Sequence, residues 1–562
     1  MKITYIFLYS LILYFPRFSD TICLVDDIDL INRLKPLTKL DVIETLFGSI
    51  SGGLYYRPLL SLTYKFDAVY LNLIYPLMYL ENVIYFTISA WFASKIFEYI
   101  FKNNRELSVI STLFFIFTPL SVESVAWISG RTDLLALMFL MIGFYLLLRF
   151  VEEKKWYTML FSLFMMLLST LAKETTVVFF LAVPIVLTSK EILSSFKNRW
   201  GVVLGSILPS LIFSGAFFVL RGVSFKTGNN RISMTIDAII NSPEFAVMKF
   251  FRIFGFYFKK IVFPWPLNFM IVDVDPLYDI LGLLVILISV FLLFKSRLVD
   301  RFFIAGLCFL LPVYPISFGQ IAWTPYADRY AFIPFVFSIP FTVYYLNSIL
   351  KKLNLNRVHI SYVFALLVCV FAVSTFLRIK VWSDNTLLFE DTLKKNKDTQ
   401  EAWFLAGNAW YNENDLKKAE KYYLKAKTSY SFEYNYKLDY NLGVLYLHLE
   451  QYEKSIKYFE TVLSAKKGGE SMAAGGVVEA YLKMLKRNKS DFEHLSKVLD
   501  EFIKNSGSIV KDGDNFYMLG KIYLKHNDKQ RAVKYFQMAY ERFSDSDPYK
   551  KIAQKFISKL LL

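Results

Sequence analysis

Residues 359–380 read HISYVFALLVCVFAVSTFLRIK, and residues 402–426 read AWFLAGNAWYNENDLKKAEKYYLKA. The first is an apolar run with the length of a membrane-crossing helix, which needs about 20 residues for a core of about 30 Å. The second is soluble in character, with Lys, Glu, Tyr and Asn at helical spacing. The change near Val381 is the one clear domain boundary, giving a membrane part, 1–380, and a soluble part, 381–562. The 562-residue chain is 55% hydrophobic with a mean hydropathy of +0.38, and the excess lies before that boundary. The expected fold class is all-α: a polytopic membrane helix bundle followed by a helical-repeat domain.

Working back from residue 359, ten more apolar stretches are found. Spans are expected at 3–19, 76–100, 107–127, 132–151, 156–172, 174–189, 201–220, 277–294, 302–318, 330–349 and 359–379, eleven in all. Lys2 followed by Ile3 to Phe15 resembles a signal peptide, but no small-residue cleavage site follows, so it reads as a retained first span. The loops after alternate spans are short and basic: Lys102 and Arg105; Lys154 and Lys155; Lys190, Lys197 and Arg199; Lys295, Arg297 and Arg301; Lys351, Lys352 and Arg357. Short cationic loops stay in the cytoplasm. The N-terminus is therefore expected inside, and residues 381–562, with the sequon at Asn488, outside. Short loops and heavy use of Lys, Ile, Asn and Phe point to a prokaryotic plasma membrane.

The opposite rim carries Asp26, Asp27 and Asp29; Arg57; Glu123, Arg131 and Asp133; Lys173 and Glu174; Asp328 and Arg329. Charges this close to hydrocarbon are costly and mark function. Leu59 to Tyr75 and Phe245 to Phe263 mix aromatics with cations and read as helices lying in the interface. The net charge of +16 suits cytoplasmic loops and anionic headgroups, and with no nucleic-acid motif present a nucleic-acid partner is not expected. Cys23, Cys308 and Cys369 suggest no disulfide framework. Of the four histidines, His359 only opens the last span, on its cytoplasmic side, and His448, His494 and His526 follow the spans, which excludes a His-ligated metal or a Ser-His-Asp triad at the acidic clusters; acid–base chemistry must use carboxylates.

Beyond Val381 the pattern repeats. Trp403, Ala406, Gly407, Trp410, Ala419, Tyr423 and Ala426 share offsets with Asp439, Leu442, Gly443, Tyr446, Ser455, Phe459 and Val462, and again with Phe516, Leu519, Gly520, Tyr523, Ala532, Phe536 and Ala539. This is the large–small–aromatic signature of the tetratricopeptide repeat (TPR). Three clear copies and one degenerate copy, 468–505, would stack into an α-solenoid whose concave face suits an extended peptide.

Several ordered motifs carry a resemblance. They are Val25-Asp26-Asp27-Ile28, Tyr56-Arg57-Pro58-Leu59, the run from Pro119 through Glu123, Trp127, Gly130 and Arg131 to Leu135, Ala172-Lys173-Glu174, Ala327-Asp328-Arg329-Tyr330, and Arg378 to Trp382 before the repeats. Together they resemble the membrane glycosyltransferases with C-terminal TPR repeats: the transmembrane and TPR-containing O-mannosyltransferases and their bacterial relatives. The chain departs from many of them in lacking histidines near the second and third spans, and in having Asp328 where relatives often have Glu. The resemblance implies a GT-C fold and transfer, with inversion, of mannose or a similar hexose from a polyprenyl-phosphate carrier to a protein hydroxyl.

On that reading Asp26 and Asp27 carry the catalytic acidic motif, with the choice between them open. Arg329, Arg131, Arg57 and Lys173 are the candidates for the donor phosphate, because a cation must meet the charge growing on the leaving group. Glu123, Asp133, Glu174 and Asp328 would bind sugar hydroxyls or orient these cations. No metal is required, although Asp26, Asp27 and a third carboxylate could hold Mg²⁺ or Mn²⁺. The expected partners are the lipid-linked sugar, membrane lipids and a protein or peptide acceptor in the TPR groove. Other readings are transfer to an envelope glycan or lipid, or a membrane scaffold without activity.

Overall fold

Hydrocarbon offers no water to bond, so an apolar segment must pair its own backbone groups as a helix. In the computed structural model every stretch read as a span is helical over most of its length. The structure describes residues 1–19, 21–47, 55–102, 104–224, 230–318, 324–396, 399–429, 436–487, 492–506, 509–511, 513–544 and 547–561; Asn488 of the sequon lies outside them. Among these residues the regular elements are all helical, and an isolated bridge joins Ile271 to Tyr326.

Six helices have the length and apolarity of a full span: Arg131–Glu153, Arg199–Val223, Tyr278–Lys295, Leu298–Ile316, Asp328–Lys352 and Arg357–Trp382. Arg105–Ile116 and Pro119–Val125 make a seventh if this pair, bent by 40°, counts as one. The bend falls where Pro119 has no N–H to give the helix. Ile3–Arg17, Trp156–Ala172 and Glu174–Leu187 are apolar but shorter. Tyr75–Ile100 is 26 residues long but carries Glu81, Lys95 and Glu98. Six or seven full spans among the described residues are fewer than the eleven expected, and they make this a multi-pass membrane protein.

The chain divides into two compact units, Met1–Asn396 and Lys397–Leu562. The first unit runs past the change of composition at Val381. Helix Asn385–Lys395 follows the last span, and its polar side chains bond back into that unit. Asn385 donates to the Ile22 carbonyl at 2.9 Å, Asp391 pairs with Arg378 at 2.6 Å, and Asn396 donates to the Met270 carbonyl at 2.9 Å. A segment can thus look soluble and still belong to the membrane unit, because that unit's rim is polar.

Both segments read as interfacial are helices, Pro58–Tyr70 and Pro243–Val262. Each has proline in its first turn, where the missing N–H costs nothing. Helix Pro243–Val262 meets Tyr278–Lys295 backbone to backbone: a Cβ on Gly255 would strike the Tyr278 carbonyl, and one on Gly282 that of Phe251. Small residues permit this approach where water supplies no hydrophobic drive.

In the second unit four helix pairs follow one another: Gln400–Asn412 with Leu416–Thr428, Tyr436–His448 with Tyr452–Ala465, Glu470–Arg487 with Phe492–Ser506, and Gly513–Lys525 with Lys529–Arg542, followed by Pro548–Leu561. In the three clear repeats glycine faces an aromatic ring across the pair. A Cβ on Gly407, Gly443 or Gly520 would sit 2.5, 2.6 or 2.8 Å from Tyr423, Phe459 or Phe536. Two of the turns use an Asn-Asp step. Asn414 and Asn527 take φ near 60°, which asparagine tolerates, and Asp415 and Asp528 cap the next helix.

Candidate active site

The segment 119–135 organises the first unit's charged rim. After the Pro119 bend it turns sharply at Gly130, where a Cβ would lie 2.7 Å from the Ser124 carbonyl and 2.8 Å from that of Glu123. This compact turn sends side chains to three distant parts of the chain. The Trp127 indole N–H donates to the Val25 carbonyl at 3.3 Å. Ser129 donates to Asp27 through its backbone N–H at 3.0 Å and its hydroxyl at 2.6 Å. Glu123 takes the guanidinium of Arg329 and accepts the Arg329 backbone N–H at 3.1 Å. Asp133 pairs with Lys173.

A cavity of about 280 Å³ opens among these groups. Asp26, Arg57, Asp133, Lys173, Glu174 and Arg329 line it, so the structure gathers these six sequence candidates in one place. Arg57 grips Glu174 through two bonds of 2.7 Å. Burial works against the Arg57 cation, but the Glu174 carboxylate more than offsets it and the guanidinium is held above its ordinary range. For Lys173 burial wins over the Asp133 carboxylate, and its ammonium is shifted down, with Arg329 and Arg57 adding to the effect.

The two adjacent aspartates part company. Asp27 is fully buried; Cys23 N–H donates to it at 3.2 Å in addition to the Ser129 bonds. Burial pushes its carboxyl up to about 7, against the downward pull of Ser129, Arg17 and Cys23. Asp26 is exposed and lines the cavity. Its backbone takes φ 62° and ψ −37°, and the Asp27 N–H donates across it to the Val25 carbonyl at 2.7 Å. This is a γ-turn of the rare positive-φ kind, and such backbone costs about 1–3 kcal/mol at a residue other than glycine. The strain turns one carboxylate into the cavity while its neighbour anchors the loop.

Besides Asp27, three candidates stand apart from the cavity wall. Arg131 is fully buried, paired with Asp67 at 2.7 Å and Glu81 at 3.0 Å, and bonded to Asn82 at 3.1 Å. Its fork is occupied by the protein itself, and unlike the other three donor-phosphate candidates it does not line the cavity. Asp328 pairs with Lys260 at 2.6 Å and accepts the Asn268 N–H at 2.7 Å, so it pins the start of its helix. Glu123 reaches the cavity only through Arg329. Sequence reading had not singled out Asp67, Glu81 or Lys260, nor Tyr330, which lines the cavity with its ring centre 5.0 Å from the Arg329 guanidinium. Arg17 was passed over as well; it ties the first helix to the Ala126 carbonyl at 2.7 Å. A charged residue inside an apolar span, as Glu81 is, was the available signal for the buried cluster.

Among the described residues no three His, Cys, Asp or Glu side chains stand where they could hold a metal ion. Asp27, one of the trio suggested from the sequence, accepts hydrogen bonds from Ser129 and Cys23.

Tetratricopeptide-repeat family models match residues 387–434, 440–468 and 514–546. Over the whole chain the sequence is similar to protein O-mannosyl-transferase TMTC3 of Homo sapiens, with 23% identity over 586 aligned positions covering 93% of this chain. The chain spans 61% of that relative's length. Weak, nearly end-to-end similarity to a TPR-containing O-mannosyltransferase thus accompanies the motifs. A solved structure, the crystal structure of the APC/C hetero-tetramer Cut9-Hcn1, aligns over 92% of this chain and 100% of that chain, at 12% identity and a TM-score of 0.25. A score that low carries no argument.

Proposed function

We propose that this chain is a membrane glycosyltransferase that moves a hexose, mannose or a close relative, from a polyprenyl phosphate to a hydroxyl of an exported protein. The observation that carries the reading is the cavity in which the Asp26 carboxylate faces Arg57, Lys173 and Arg329. The acceptor oxygen attacks the anomeric carbon from the side opposite the phosphate, and Asp26 takes its proton. The anomeric carbon–oxygen bond breaks, its electron pair leaves with the lipid phosphate, and the configuration inverts. A positioned base of this kind contributes about 10²–10⁴-fold. The cations meet the charge that builds on the phosphate, and Arg offers the planar fork that suits its oxygens. Their paired carboxylates, Glu174, Asp133 and Glu123, hold them in place before the donor arrives.

The alternation of basic loops supports eleven crossings, the short and bent helices included, with the cavity and the repeats on the extracytoplasmic face of a prokaryotic plasma membrane. The repeats would present the acceptor. The test incubates membranes containing the protein with polyprenyl-phosphate-[³H]mannose and an extract of exported proteins, while a C-terminal phosphatase fusion reports sidedness. Labelled protein and an active fusion are expected. Label in glycan or lipid alone would move the reading to envelope assembly, and an inactive fusion would reject the topology.

A further inference from the structure

Helix Phe332–Lys352 has a cavity at each end. The first receives Arg329 and Tyr330 just before its start; the second, of about 390 Å³, receives Asn347 and Lys351 from its last turns. At 1.5 Å per residue the two stand about 25 Å apart along that helix. The second cavity is completed by the first turns of helices Arg105–Ile116 and Arg357–Trp382 and plays no part in the transfer proposed above.

Its wall is built in two zones. The polar zone holds Lys351, Arg357, Glu106 and Asn347. Glu106 is already engaged by Arg357 at 2.8 Å and by the Ser361 hydroxyl at 2.6 Å. Lys351 has no carboxylate within ion-pairing distance among the described residues, so the polar zone carries a net positive charge. Asn347 is only 9% exposed, yet its side chain makes no hydrogen bond to another described residue. Its amide lines the cavity, where a ligand can bond it. The apolar zone holds Leu107, Ile110, Ile360 and Phe364. Outside it helix Phe332–Lys352 exposes Ile349, and helix Arg357–Trp382 exposes Tyr362 and Leu366, at 53, 68 and 65%.

We propose that this cavity binds the phosphate headgroup of an anionic membrane phospholipid. Lys351 and Arg357 take the phosphate, Asn347 bonds the glycerol backbone, and the acyl chains run out along Ile360 and Phe364 onto the exposed apolar flank. Basic pockets between membrane helices on the cytoplasmic side are suited to anionic headgroups, and the net positive lining favours an anionic lipid over a zwitterionic one. The proposal rests on reading these helices as membrane spans and is independent of the sugar-transfer chemistry.

The test uses the full chain, extracted in mild detergent and delipidated, with short-chain phosphatidylglycerol, phosphatidylcholine and inorganic phosphate as probes in native mass spectrometry. A saturable phosphatidylglycerol adduct is expected. It should weaken about tenfold or more in the Lys351→Ala/Arg357→Ala variant, and Ile110→Trp, which fills the apolar zone and keeps both charges, should weaken it too. Equal binding of phosphatidylcholine, or of phosphate alone in place of the lipid, overturns the assignment, as does an adduct indifferent to both variants. Carbonate extraction separates the two readings: a protein that stays in the membrane but binds no phosphatidylglycerol refutes only this site, whereas release into the soluble fraction refutes the spans beneath it.

Discussion

Asp26 and Asp27 are neighbours in the chain with opposite surroundings. The strained turn at Asp26 aims its carboxylate into the cavity, while Asp27 turns inward onto Ser129 and Cys23. Sequence reading left the choice between them open, since adjacent carboxylates look alike until a turn separates them. The two substitutions should therefore differ. Asp26→Asn should lower transfer by about 10²-fold or more and leave the melting temperature unchanged. Asp27→Asn should destabilise by about 1–3 kcal/mol, because an amide N–H would face the Cys23 N–H. The pH dependence follows from the raised carboxyl, about 7 in the fold against about 3.9 in an unfolded chain. The folded state holds this proton more tightly, so stability is greatest below the unfolded value and falls as pH rises through about 7. Melting curves of wild type between pH 5 and 8 should show that decline, and Asp27→Asn should flatten it. A decline unchanged in the variant would assign it to another group.

At the scale of elements, the 119–135 segment acts as the site's frame, joining the first loop, the Lys173-Glu174 corner and the Asp328-Arg329 helix start. Its motif character was legible in the sequence; its partners were not, because they come from far along the chain. Arg131 finds Asp67 across 64 residues and Arg329 finds Glu123 across 206. Nothing in spacing distinguishes an arginine held by buried carboxylates from one facing a cavity, so Arg131 and Arg329 read alike. The repeats were easier, because each glycine–aromatic pair is local and recurs. Gly130 is the joint on which this frame depends. The atoms that a Gly130→Ala methyl would meet are backbone carbonyls, which cannot swing aside as a side chain can. Overpacking of this kind costs about 1–3 kcal/mol, and here the relaxation would shift Ser129 and Glu123 together. Transfer should fall by more than about tenfold even at temperatures where the protein stays folded. Wild-type kcat in Gly130→Ala would remove the segment from its framing role.

For the whole molecule, composition located the change from membrane to soluble character at Val381, whereas the compact unit continues to Asn396. The difference is the amphipathic helix Asn385–Lys395, whose hydrophilic sequence hides Leu388 and Phe389, both buried. The span count differs for a related reason: hydropathy finds apolar stretches, whereas six or seven of the eleven helical stretches have the length and apolarity of a full crossing among the described residues. The boundary matters for separating catalysis from acceptor choice. A chain cut after Asn396 keeps Asn385 on the Ile22 carbonyl and Asp391 on Arg378, and it keeps every residue that lines the cavity. It should insert in membranes, bind the lipid-linked sugar and hydrolyse it slowly to water. A chain cut after Lys380 loses the Asn385 and Asp391 bonds and leaves the first loop unsupported, so it should be degraded or bind donor poorly. If the repeats present the acceptor, the Asn396 truncation should lose transfer to its protein acceptor while donor hydrolysis persists, because the tethered groove supplies the acceptor's effective concentration. A large excess of a short acceptor peptide should then restore part of the rate, since concentration replaces tethering. Full transfer to the native acceptor by the Asn396 truncation would instead make the repeats dispensable for acceptor choice.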